Sequence, residues 1–121
     1  MKYQDKQASL EQLKQVMQDI VTDRDWQQFH SPKNLALKLV IESSELLEKF
    51  EWMSEQDSFA KLTTHRKEIE DEAADVLMVL LCFCNAAKID LASAMMSKVS
   101  EVTAKYPIDK AKGIYTKYNK L

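Results

Sequence analysis

Apolar residues recur at every third or fourth position through most of this chain, the spacing that sets one face of an α-helix against a core. Leu10, Leu13, Val16, Met17 and Ile20 follow it and predict a first helix over residues 9–22. Thr22-Asp23-Arg24-Asp25 interrupts the pattern, and the aromatic-rich string Trp26-Gln27-Gln28-Phe29-His30 reads as a connection. Ser31-Pro32 is a start signal, a capping hydroxyl followed by proline at the first helical position. It predicts a second helix over residues 32–53. Polar residues 54–64 then connect to a third helix over residues 65–88. Asp90 caps a fourth helix that runs through Lys105, because Pro107 pushes Tyr106 out of the α region. The tail after Pro107 is a short helix or frayed. With no internal repeat or low-complexity tract, residues 1–121 read as a single all-α domain resembling a four-helix bundle.

The third helix changes the picture of assembly. After Asp75 it reads Val-Leu-Met-Val-Leu-Leu-Cys-Phe-Cys, apolar on every side. Such a helix must be surrounded. Four helices from 121 residues can barely do that, so a partner chain is expected, and a homodimer is the economical choice.

Composition removes whole classes of chemistry. A single glycine excludes the P-loop and the dinucleotide fingerprint, which need bare backbone against phosphate. Any phosphate must be held by side chains or metal ions. His30 and His65 are too few for a histidine-rich zinc site, and no Gly-x-Ser-x-Gly elbow is present. A net charge of −2, with no basic run longer than a pair, argues against nucleic acid as a partner. Cys82 and Cys84 point about 200° apart on a helix and cannot bridge, which suits a reducing cytoplasm. The longest apolar run, Val76 to Cys84, falls well short of the ~20 residues needed to span a bilayer. The polar N-terminus resembles no signal peptide. A cytoplasmic protein without membrane or nucleic-acid partners is expected.

Two acidic pairs carry the candidate chemistry. Glu42 and Glu45 lie three apart on the second helix, as do Glu72 and Asp75 on the third. Each pair projects from one helix face, and facing helices would bring four carboxylates together. That is an oxygen-rich cage for Mg²⁺ or Mn²⁺. Solvated surface charge is the plain alternative. Periodicity weighs against it: Val79, Cys82 and Phe83 continue the Glu72/Asp75 face, and Leu35, Leu39 and Leu46 share the side of Glu42. Buried carboxylates without cations would repel, although Lys38 and Lys49 could neutralise part of the charge. Glu68, one turn before Glu72, is a possible further acid. Trp26, Phe29, His30 and Trp52 bracket the first pair and offer either core packing or a flat wall for a nucleobase.

Read as strings, Trp26-x-x-Phe29-His30-Ser31-Pro32-Lys33-Asn34-Leu35-Ala36, Glu42-x-x-Glu45-Leu46-x-Glu48-x-Phe50-x-Trp52 and Glu72-x-x-Asp75-Val76-Leu77 are familiar. So are Ile89-Asp90-Leu91, Ala94, Lys98 and Lys105-Tyr106-Pro107. From Trp26 to Pro107 the chain resembles the MazG-like all-α nucleoside triphosphate pyrophosphohydrolases, and among them the dCTP pyrophosphatase branch. The resemblance implies a helical protomer assembled as a homodimer or dimer of dimers. It implies conversion of a (d)NTP, such as dCTP, to monophosphate and pyrophosphate by metal-activated water attack at the α-phosphate. By position, Glu42, Glu45, Glu72 and Asp75 would be the catalytic Mg²⁺ ligands. Trp26, Phe29, His30 and Trp52 would line the substrate pocket, with Lys98 near the phosphates. The chain departs from the branch at Ile41 and Ser44, where glycines are usual, at Val79, where tyrosine is usual, and at Val102, where asparagine is usual. These departures fall on base, ribose or phosphate contacts and leave the metal ligands filled. Two other readings use the same features: a phosphoribosyl-ATP-type pyrophosphohydrolase, and a non-catalytic helical dimer that binds nucleotide or a partner protein.

Overall fold

A computed structural model describes residues 3–121, which are helical with no strand among them. The chain divides into two compact units, one up to Lys88 and one over Ile89–Leu121.

The first unit contains α1 (Leu10–Asp23), a 3₁₀ turn (Gln27–Phe29), α2 (Pro32–Glu48), α3 (Glu55–Thr64) and α4 (Arg66–Ala87). Local chemistry sets the starts. Ser9 and Gln12 form a reciprocal capping box at α1, the Ser9 N–H donating to Gln12 Oε1 at 2.8 Å and the Gln12 N–H to Ser9 Oγ at 3.1 Å. Ser31 caps α2 by accepting from the Asn34 N–H at 3.1 Å, with Pro32 inside the first turn. The unit's core is built from α1, α2 and α4: Met17, Val21, Leu35, Leu81 and Cys82 are buried, and Leu10, Leu13, Ile20 and Phe83 pack around them. Asn85 Nδ2 ties α4 to α1 by donating to the Lys14 carbonyl at 2.9 Å. Cys82 and Cys84 are both buried free thiols.

Two expectations are corrected here. The second helix stops at Glu48, not near residue 53, because its hydrogen bonds tighten from four residues back to three. The Lys49 N–H bonds the Leu46 carbonyl at 3.3 Å and the Phe50 N–H bonds that of Leu47 at 2.9 Å. The polar segment after it is no connection but α3. Ser54 caps it through the Asp57 N–H at 3.1 Å, and Glu55 and Asp57 at its start and Lys61 near its end suit the helix dipole. Its side chains mostly face solvent, which is why its pattern of hydrophobic positions is weak.

The second unit holds α5 (Leu91–Lys105), α6 (Ile108–Ala111) and a closing 3₁₀ turn (Tyr118–Lys120). Asp90 caps α5 by accepting from the Ser93 N–H at 3.0 Å. The tail folds back on the end of α5. Tyr106 and Tyr118 meet edge to face at 6.0 Å, the Tyr118 N–H donates to Tyr106 Oη at 3.2 Å, and Lys105 Nζ stands 4.7 Å over the Tyr118 ring. The described helices therefore number six instead of the four expected. No single helix among them is long and apolar enough to cross a membrane.

Candidate metal centre and adjoining cavities

Helices α2 and α4 form the most extensive helix pair of the first unit, and their facing sides bring the two acidic pairs together. Glu42, Glu45, Glu72 and Asp75 each offer a carboxylate oxygen, and these four oxygens lie within 4.8 Å of one another. Oxygens held about 2.1 Å from one ion can be at most about 4.2 Å apart, so small side-chain rotations close the set on a cation.

The cluster is not a solvated surface patch. Glu42 is only 9% exposed. Its Oε1 receives Lys38 Nζ at 3.2 Å, but its Oε2 is buried with no hydrogen-bond partner. Glu72 Oε2 is likewise buried and unpartnered, while its Oε1 is 4.0 Å from Lys49 Nζ. Glu68 reaches the same lysine at 3.9 Å and stands outside the four-acid cluster. A buried carboxylate oxygen without a partner carries a desolvation cost that a bound cation would relieve. Charge repulsion is visible too. The Glu45 carboxyl is pushed above its ordinary value, first by a hydrogen bond and repulsion from Glu42, then by burial, then by Glu72 and Glu48. Two orphaned buried oxygens in a four-carboxylate set, with hard donors only, fit a divalent cation of the Mg²⁺ or Mn²⁺ kind.

A cavity of about 310 Å³ opens beside this cluster, with Glu42, Asp75 and Lys38 in its wall. Trp26 and His30 line it as the sequence suggests. The 3₁₀ turn positions both: the Trp26 N–H donates to the Val21 carbonyl at 2.9 Å, and the Asn34 side chain of α2 donates to the Phe29 carbonyl at 3.2 Å. Arg24 stacks over the Trp26 ring at 5.7 Å. Phe29 and Trp52 are not in this wall; Phe29 is exposed on the turn, and Trp52 is 91% exposed beyond the end of α2. Lys98 lies on α5 in the second unit, paired with Glu101 at 3.2 Å.

Most of the cavity wall escaped the sequence reading as a site. Met17, Ile20 and Val21 of α1 line it, together with Leu35, Met78, Val79 and Cys82. Their helical spacing marks them as core, and only their place beside the acids makes them a pocket. Val79, one of the departures from the expected pattern, did carry a signal: it stands in this wall. Burial pushes the Cys82 thiol above its ordinary value, so it is a packing group here and not a ready nucleophile.

Known proteins resemble this chain in sequence and in fold. The model of the MazG-like family matches residues 37–121, which include all four acids. The mouse and human proteins named dCTP pyrophosphatase 1 are each 32% identical over 117 residues, covering 95% of this chain and 69% of theirs. A pyrophosphatase from Archaeoglobus fulgidus, solved by crystallography, superposes with a TM-score of 0.79 at 36% identity, covering 88% of this chain and 99% of that one. Paired acids on facing helices, a cavity beside them and these likenesses lead to one conclusion: the chain belongs to the MazG-like family.

Proposed function

We propose that this diphosphatase is a Mg²⁺-dependent nucleoside triphosphate pyrophosphohydrolase, converting a dNTP such as dCTP to its monophosphate and pyrophosphate. The observation that carries the proposal is the convergence of Glu42, Glu45, Glu72 and Asp75, two of them with orphaned buried oxygens, on the rim of a cavity with an aromatic wall. The homologues named dCTP pyrophosphatase support the choice of substrate.

In this reading the four acids would hold the cation at the rim of the cavity. Mg²⁺, or Mn²⁺ in its place, supplies charge to the phosphate oxygens and acidity to a water. Glu45, one of the four clustered carboxylates, accepts the proton of the attacking water. The water oxygen bonds to the α-phosphorus, and the bond to the β-phosphate oxygen breaks, its electron pair leaving with pyrophosphate. Trp26 and His30 hold the nucleoside end in the cavity. Phe29, Trp52 and Lys98 complete the substrate-contacting set once the protein is assembled with itself.

Self-association is part of the proposal. Leu37, Val40, Ile41 and Leu47 form an exposed apolar stripe on α2, and Leu77 and Met78 of α4 remain 38% and 40% exposed in the single chain. A homodimer or homotetramer would cover them. Two buried free thiols agree with a cytoplasmic setting.

The test is a panel of common dNTPs and NTPs with Mg²⁺, in which monophosphate and pyrophosphate are quantified separately. Both products from one or a few triphosphates are expected. Diphosphate plus orthophosphate would keep the metal site and overturn the position of attack. No turnover, with nucleotide still raising the melting temperature, would favour a binding module.

A further inference from the structure

Among the described residues in the wall of the acid-lined cavity, Lys38 is the one lysine or arginine, and it shares that wall with the carboxylates Glu42 and Asp75. The adjoining cavity of about 240 Å³ meets the first at Val21, His30 and Cys82, and adds the amides Gln18, Gln27 and Asn85 but no lysine or arginine. With a single glycine, the chain has no glycine-rich loop to wrap a phosphate in backbone N–H groups. A phosphate entering beside the acids therefore has Lys38 as its nearest permanently charged donor in this wall.

The lysine is well placed for that contact. Leu35, Lys38, Glu42 and Glu45 follow one another at spacings of three and four along one side of α2. Lys38 comes one turn, about 6 Å, before Glu42. The 3₁₀ turn flanked by Trp26 and His30 leads into α2 from that same end, so the order along the helix is aromatic wall, lysine, acids. The lysine is also free to move. Its ammonium rests 3.2 Å from Glu42 Oε1, but its side chain is 59% exposed where that of Glu42 is 12% exposed. In an ordinary surface pair both ends are mobile. Here the carboxylate is held by packing and the ammonium is not. An ammonium carries three N–H donors, and Glu42 Oε1 engages one side of it.

We infer that Lys38 is a substrate-binding residue which takes the phosphate nearest the nucleoside, the one retained in the monophosphate product. It neutralises Glu42 in the empty protein and turns to the phosphate oxygens once a cation compensates that carboxylate. Hydrogen bonds from an ammonium to phosphate are charge-assisted at both ends and among the stronger ones a side chain makes. This inference rests on the proposed triphosphate substrate and deepens it by naming the side chain that meets one phosphate directly.

Calorimetric binding of dCMP and of deoxycytidine to the full chain with Mg²⁺ is the test, because the two probes differ only in the phosphate. Wild type should bind dCMP at least about tenfold more tightly. Lys38→Met should lose most of that advantage by weakening dCMP and leave deoxycytidine unchanged, and Lys38→Arg should keep most of it. Lys33→Met, which removes an exposed charge from the first turn of α2, should keep all of it. With dCTP as substrate, Lys38→Met should raise KM by about tenfold and change kcat less. Mn²⁺ binding without nucleotide separates this role from a merely structural one. Lys38→Met should bind Mn²⁺ as tightly as wild type or more tightly, because the ammonium competes with the ion for Glu42. A lysine needed only to hold Glu42 in place would leave Mn²⁺ binding weaker, and that result would overturn the inference. So would equal binding of the two probes by wild type, or an unchanged dCMP advantage in Lys38→Met. If no triphosphate is turned over, the hydrolase reading fails alone. A dCMP advantage lost in Lys38→Met with Mn²⁺ binding intact would still support Lys38 as the phosphate ligand.

Discussion

Helix α4 carries two pairs of acids, Glu70/Asp71 and Glu72/Asp75, that are neighbours in sequence and differ in circumstance completely. Glu70 and Asp71 point outward, exposed, and each meets a cation one turn back: Arg66 Nε is 2.7 Å from Glu70 Oε1 and Lys67 Nζ is 2.5 Å from Asp71 Oδ1. Glu72 and Asp75 turn inward toward α2, where Glu72 keeps a buried oxygen with no partner and a lysine no nearer than 4.0 Å. Outward acids are satisfied locally and by water, at little gain or cost. Inward acids are held together against repulsion by the packing of two helices. Ordinary surface charge needs no such arrangement, so the contrast separates a site from decoration on one helix.

The strongest way to break the contrast is to neutralise one acid from each set. Glu72→Gln should lower turnover by more than about 100-fold, since even residues that only support metal ligands cost 10–100-fold when lost. It should fold normally and gain stability without metal, because one repelling charge is gone. Glu70→Gln should retain wild-type kinetics. Equal activity in the two variants, measured as pyrophosphate release, would remove the metal assignment.

Binding gives the next largest effect. A cation present at 100 times its dissociation constant stabilises the folded chain by about 2.7 kcal/mol. For a protein of this size that corresponds to a rise in Tm of roughly 10 °C. Mg²⁺ should produce the rise in wild type and Glu70→Gln, chelator should reverse it, and Glu72→Gln should lose most of it. A scan in which all three proteins respond alike would place the cation elsewhere.

How much of this the sequence discloses follows the same contrast. The starts of α1, α2 and α5 are written in Ser9, Ser31 and Asp90, because capping needs only residues three positions away. The meeting of Glu42, Glu45, Glu72 and Asp75 is legible because each pair lies on the apolar side of its helix. The end of α2 is not: nothing in Lys49-Phe50-Glu51-Trp52-Met53 forbids helix, and only the change in hydrogen-bond register stops it. Helix α3 hides because Phe59 faces solvent and its polar residues resemble a loop. The cavity walls are hidden for a deeper reason. Met17, Ile20 and Val79 bear apolar side chains whether they fill a core or line a pocket, and the difference lies in what the opposing helix leaves open.

Acidity sharpens the comparison within the cluster. The folded protein raises the Glu45 carboxyl above its ordinary value, so without metal the folded state holds this proton more tightly than the unfolded chain does. That contribution is fully present below the unfolded value and is lost as pH rises through the raised one. Other carboxylates titrate in the same range, so the readout is a difference. Between pH 4 and 7, in chelator, the Tm of wild type should fall relative to Glu45→Gln as pH increases. Mg²⁺ should erase that relative fall, because the cation favours the ionised form. A parallel pair of curves in chelator would mean that the acids do not repel as the geometry requires.

The smallest effect belongs to the outward set. Arg66 and Glu70 are both exposed, and the contact is made through Nε alone, without the two-pronged geometry that strengthens arginine–carboxylate pairs. A double-mutant cycle with Arg66→Ala and Glu70→Ala should give a coupling of about 0.3–0.5 kcal/mol, the usual value for an exposed pair one helical turn apart. At 1 M salt the screening length shrinks to about 3 Å and most of the coupling should vanish. Turnover should be unchanged in all three variants, since none of the four metal-cluster acids is touched. A coupling several times larger and insensitive to salt would mean that Arg66 and Glu70 are buried in the working assembly. The outward face of α4 would then be an interface, and the line between its two sets of acids would have to be redrawn.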